Sequence, residues 1–186
     1  MSILVVMEQT GGAWHKMSFE ALAAGIELGR GLGRTVTAAV VGSGVDALAA
    51  ELAGYGVERV LSIDHALLAE YTPDGYTAAL GQVIRERKPF LVVMPHTYQV
   101  RDFAPKLAAS LDRPLVSDVI GARVEEGKVI FARQLFQGKM NADVEAAGEP
   151  PYFASVQAGA FRADQLEKAA QAAPVEKVTV GLEAGQ

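Results

Sequence analysis

The chain has 186 residues, no cysteine and a formal net charge of −5 at pH 7, which predicts one compact domain plus a tail and excludes disulfides, thiolate metal sites and cysteine nucleophiles. The acidic balance argues against a nucleic-acid partner, whose surface needs a basic stripe. No stretch approaches the roughly 20 apolar residues of a membrane span, and MSILVVMEQ lacks the basic start of a signal peptide, so the expected location is the cytoplasm.

Ile3–Met7 is continuously apolar, as a strand buried on both faces should be. Ser18 stands where a helix cap is expected, and the helix runs to about Leu32, with Leu22, Ile26 and Leu28 inward and Gly31 and Gly33 ending it. Thr35–Val41 reads as a second strand, Gly44–Leu52 as a helix and Arg59–Ile63 as a third strand. Asp74 is the expected cap of a helix over Tyr76–Arg87. Phe90–Met94 is a fourth strand, closed by Pro95. Asp102 is the expected cap of the next helix, with Pro105 in its first turn, where a missing N–H costs nothing.

From Leu115 the rhythm changes. Leu115–Val124 and Val129–Phe136 flank the turn Glu125–Glu126–Gly127 and read as a hairpin. Lys139–Glu145 alternates apolar and polar residues like a half-exposed strand, and Tyr152–Gln157 is one more. Strands alternating with helices imply parallel βαβ units. The expected fold is a three-layer α/β/α domain over residues 1–161, with a mostly parallel, doubly wound sheet extended by antiparallel C-terminal strands. Residues 162–186 read as a tail or interdomain linker, since they carry no large apolar face.

Two loops are candidate ligand contacts. Gly42–Ser43–Gly44, continuing to Ala47, follows a strand, opens a helix and fits the dinucleotide fingerprint, with Asp64 near the position of a ribose-binding carboxylate. Against this, any tight βα turn favours glycine, and the fingerprint normally lies in the first βα unit rather than the second. His96 and Arg101 lie in the loop at the carboxyl end of the fourth strand, where open α/β sheets bind ligands. A loop histidine equally serves turn structure, and Arg101 equally meets solvent or a partner. Nothing places a catalytic group: Ser110, Ser117 and Ser155 lack a nucleophile-elbow context, and the three histidines lack metal-ligand spacing.

The segments ILVVMEQ, FEALAAGIELGR, AELAGYGVERVLSID, RDFAPKLAASLDRPLVSDVIG and FASVQAGAF resemble, in order and spacing, the start of electron transfer flavoprotein alpha subunits. The resemblance spans about Ile3–Phe161 and is most specific over Pro105–Ile120. It implies the adenine-nucleotide-hydrolase-like fold, shared distantly with universal stress proteins, and a non-catalytic domain that pairs with a beta-type subunit. The complex carries electrons from flavin dehydrogenases to a quinone-linked acceptor. It also implies that FAD is held mainly by a second, C-terminal domain whose glycine- and arginine-rich motif has no counterpart here, so this chain alone should bind FAD weakly or not at all. The family's beta subunit buries an AMP beside an Asn-Gln-Thr-Gly segment. The matching positions are Arg101, Asp102, Phe103 and Ala104, which place a carboxylate near the phosphate. Two like charges at 4 Å repel by about 4 kcal/mol at an effective dielectric of 20, and Arg101 offsets part of this. A stand-alone module that binds AMP or ATP is the alternative.

Overall fold

The computed structural model describes residues 1–183. Its elements in chain order are β1 (Ile3–Met7), β2 (Gln9–Thr10), β3 (Ala13–Trp14), α1 (Met17–Leu32), β4 (Val36–Gly42), α2 (Asp46–Leu52), β5 (Arg59–Asp64), α3 (Pro73–Arg87), β6 (Leu91–Pro95), α4 (Tyr98–Ser110), β7 (Leu115–Glu125), β8 (Lys128–Leu135), β9 (Met140–Glu145), β10 (Tyr152–Val156) and β11 (Val175–Lys177). The main sheet runs β11-β5-β4-β1-β6-β10-β7-β8-β9. It is parallel from β11 through β7, and antiparallel where β8 and β9 extend it.

Side chains of a strand alternate between faces, and here both faces are covered. Ile3 and Val5 join α1 and α2 in one core, while Leu4 and Val6 join α3 and α4 in the other. The result is the expected three-layer α/β/α arrangement. α1 lies unusually close to the sheet: a Cβ on Gly25 would sit 2.3 Å from Val5 Cγ2. Gly33, at φ +62°, closes α1 in the left-handed conformation that glycine tolerates.

The helix starts differ from the expected ones. Ser18 is not a cap. Its buried hydroxyl accepts from Glu8 N at 2.7 Å and donates to Glu8 O at 3.0 Å, tying α1 to the end of β1. Thr72, not Asp74, caps α3, accepting from Gly75 N at 3.1 Å ahead of Pro73. Thr97, not Asp102, caps α4, accepting from Val100 N at 3.1 Å. Pro105 therefore lies inside α4, where its missing N–H leaves the Arg101 carbonyl without its helical donor. In α3 and α4 a threonine in extended conformation occupies the cap, and the acidic residue sits within the helix.

The C-terminal segment is also more firmly attached than a tail. Val175–Lys177 pairs in parallel with β5, and Val178 and Val180 are buried among the α3 and α4 side chains. Glu176 bridges the guanidiniums of Arg59 and Arg87, and Gln82 exchanges two hydrogen bonds with Gly181. A few alternating valines suffice because the β5 edge supplies the backbone partners. Residues 184–186 of the expected tail lie outside the described residues. No helix among the described residues is long and apolar enough to cross a membrane.

Candidate functional site

The sheet order places β4 on one side of β1 and β6 on the other. A crevice therefore opens beyond the carboxyl ends of β1 and β6, the usual ligand position in doubly wound sheets. Glu8 follows β1 directly and is 8% exposed. Its carboxylate accepts the hydroxyl hydrogen of Thr97, which also caps α4. Glu8, straight after β1, and Thr97, two residues after β6, thus meet across this switch point.

Two tyrosines line the same region. Tyr76 donates to the Val41 carbonyl at 3.3 Å, and burial followed by the charge of Glu8 raises its pKa. Tyr71 donates to Asp102 Oδ2 at 2.8 Å, and its pKa is raised by burial and then by that carboxylate. Asp102, expected as a helix cap, instead anchors Tyr71 across to α4.

The glycine loop is occupied from within the chain. Gly44 N and Val45 N donate to Asp64 Oδ1 and Oδ2 at 3.0 and 3.1 Å. These are the amides a phosphate at this turn would need, and the carboxylate expected to meet a ribose takes them instead. Gly44 adopts φ +69°, and a Cβ on Gly42 would lie 2.5 Å from Gln9 Nε2. Both glycines therefore have a reason in the turn itself. An FAD pyrophosphate could reach these amides only by displacing Asp64, so the residues here do not fit that cofactor.

His96 and Arg101 stand apart from the glycine loop. They line a cleft with Ser117 and Ser155, and Gly42, Ser43 and Gly44 are not among its walls. His96 Nδ1 lies 2.8 Å from Ser155 Oγ, and its Nε2 lies 3.7 Å from Asp118. Burial holds this imidazole below the ordinary histidine range; Asp118 opposes the shift, while Arg101 and Arg133 add to it. Sequence reasoning missed Glu8, Thr97, Ser155 and Arg133 as members of these groups. A polar residue straight after an apolar strand was the available signal for Glu8, and a threonine just ahead of a helix was that for Thr97. Nothing local marked the other two.

The architecture is that of a three-layer, doubly wound α/β domain in which Asp64 takes up the amides of the glycine turn and Glu8 the hydroxyl of Thr97. Residues 3–182 match the model of the electron transfer flavoprotein domain, and the chain belongs to that family. It is 39% identical over 146 residues to the electron transfer flavoprotein subunit alpha of Syntrophomonas wolfei, covering 78% of this chain and 45% of the relative. With the alpha subunit of Bacillus subtilis it shares 32% identity over 180 residues, 97% of this chain and 54% of the relative. With the acryloyl-CoA reductase electron transfer subunit beta of Anaerotignum propionicum it shares 32% over 128 residues, 69% of this chain and 35% of the relative. The chain thus spans about half the length of the alpha-subunit relatives it matches.

Proposed function

We propose that this chain is the scaffold and subunit-pairing domain of an electron transfer flavoprotein alpha subunit, and that it is a non-catalytic part of an electron carrier. The single observation that carries this reading is the self-filled ligand crevice: Glu8, Asp64 and Asp102 each take up a hydrogen-bond donor of the chain where a nucleotide phosphate would bind. A domain of this family with three carboxylates at that edge is suited to holding partners rather than cofactors. FAD would be held mainly by other parts of the intact family complex. The complex would carry electrons from flavin dehydrogenases to a quinone-linked acceptor in the cytoplasm.

The β8–β9 hairpin is the pairing surface in this reading. Phe136 and Met140 at its tip are 71% and 57% exposed, and β9 leaves one edge of the sheet open. Apolar side chains beside an open edge suit an obligate interface, which tends to bury more than about 2,000 Å². Size-exclusion chromatography with light scattering tests the proposal. A 1:1 complex with a beta-type subunit is the expected result, and a stable monomer that ignores that subunit refutes it. The alternative nucleotide-binding reading rests on Gly42–Ser43–Gly44 with His96 and Arg101. It requires AMP or ATP to raise the melting temperature, since a ligand at 100 times its Kd adds about 2.7 kcal/mol.

A further inference from the structure

At the carboxyl ends of β6 and β10, against the first residues of β7, lies a cleft of about 180 Å³, walled by His96, Arg101, Ser117 and Ser155 with apolar Val100 and Leu115. One guanidinium lines it and a second stands behind Ser117. Arg101 rests 5.7 Å from the Tyr98 ring centroid, and among the described residues no carboxylate pairs with it. Arg133 reaches Ser117 Oγ through Nη2 at 3.4 Å, while its Nε is buried without a partner. The Asp118 carboxylate faces His96 Nε2 at 3.7 Å. Arg101 and Arg133 both act on that imidazole as positive charges.

The ring of His96 is held from both sides, by Ser155 on Nδ1 and by Asp118 near Nε2. Asp118 adopts φ +60°, a conformation non-glycine residues rarely take, and its N–H approaches Ser155 Oγ at 3.3 Å. The imidazole thus forms a fixed wall and leaves the Arg101 guanidinium and the Ser117 hydroxyl as donors, with the Arg133 charge behind them. Guanidinium forks bind tetrahedral oxyanions by paired, charge-assisted hydrogen bonds.

The geometry points to a binding site for a small tetrahedral oxyanion, of phosphate or sulfate size, held by Arg101 and Ser117 with the charge of Arg133 behind the serine. Sites for drug-sized ligands and cofactors occupy roughly 300–1,000 Å³, so this cleft suits a phosphate group and not a whole nucleotide. The site is independent of the subunit-pairing reading, and failure of one leaves the other standing.

The test is titration of inorganic phosphate into the ¹⁵N-labelled chain, with ionic strength held constant by sodium chloride. Saturable shifts of the Ser117 amide and the His96 ring nitrogens are expected. Arg101→Gln, at an exposed position, should weaken binding about tenfold without changing the melting temperature, and Arg133→Gln should do the same where its spectrum stays native. Shifts that never saturate up to about 50 mM, a range that would detect even weak affinity, overturn the site. So does unchanged affinity in Arg101→Gln, whatever the fate of the Arg133 variant. AMP should bind no more tightly than phosphate; AMP binding more than about tenfold tighter overturns the small-oxyanion assignment in favour of a nucleotide.

Discussion

Replacing Asp64 by alanine should separate a glycine turn that serves the fold from one that serves a ligand. In the native chain the Asp64 carboxylate accepts from Gly44 N at 3.0 Å and from Val45 N at 3.1 Å. These are charge-assisted bonds at the start of α2, comparable to a helix cap, whose removal costs about 0.5–2 kcal/mol. Gly44 is exposed, so water re-solvates its amide in the variant, while Val45 is buried and leaves a donor without a partner. The expected loss is about 1–2 kcal/mol, given that one of the two donors stays desolvated. For a chain of this size each kcal/mol lowers the melting temperature by roughly 2–4 °C. Urea unfolding should show a lower midpoint with an unchanged slope. Thermal scans with millimolar pyrophosphate should show more protection in Asp64→Ala than in the native chain, because two further amides become available to an anion. Full native stability in Asp64→Ala, or equal pyrophosphate protection of both proteins, would refute the reasoning.

Gly25→Ala should destabilise the chain by about 1–3 kcal/mol despite alanine's better helix propensity, because the new Cβ meets the stiff, buried Val5 at 2.3 Å; a raised urea midpoint would show that propensity wins instead. Thr97→Val removes both the α4 cap and the hydroxyl donor to Glu8, and should cost more than the roughly 1 kcal/mol of a cap alone, with the excess relieved by pairing it with Glu8→Gln. Arg87, assisted by Arg59, holds the Glu176 carboxyl below its ordinary range. The bridge therefore stabilises the folded state fully above the unfolded value of 4.5 and loses that contribution as pH falls through the lowered one. Amide-exchange protection of β11 should fall over that window and show no such drop in Glu176→Gln. Burial lowers the His96 pKa from 6.5, so its contribution is complete above 6.5 and declines as pH falls towards the folded value. His96→Asn should flatten the stability profile below pH 6.5, and an unaltered slope would count against the assignment.

The strands and the middles of the helices were legible in the sequence because they follow from local periodicity. Ile3–Met7 and Leu91–Pro95 are apolar without interruption since each is covered on both faces. The β7–β8 hairpin was legible from Glu126 and Gly127, both at positive φ in the turn. The family resemblance was legible too, in segments whose order and spacing could be compared directly. Helix starts were not: Ser18, Asp74 and Asp102 satisfy the local rules for a cap as well as Thr72 and Thr97 do, and contacts beyond the helix decide between them.

What only the tertiary structure decided lies between elements distant along the chain. Ser18 reaches the backbone of Glu8, Asp64 crosses from the end of β5 to the turn after β4, and His96 meets Ser155 and Asp118 on two other strands. Val175–Lys177 became a strand only because β5 offered an open edge. A hydrogen-bond donor or a carboxylate carries no mark in sequence of the partner it will meet. The physical reason is that burial sets a polar group's partner, and burial is a property of the assembled sheet rather than of the residue's neighbours in the chain.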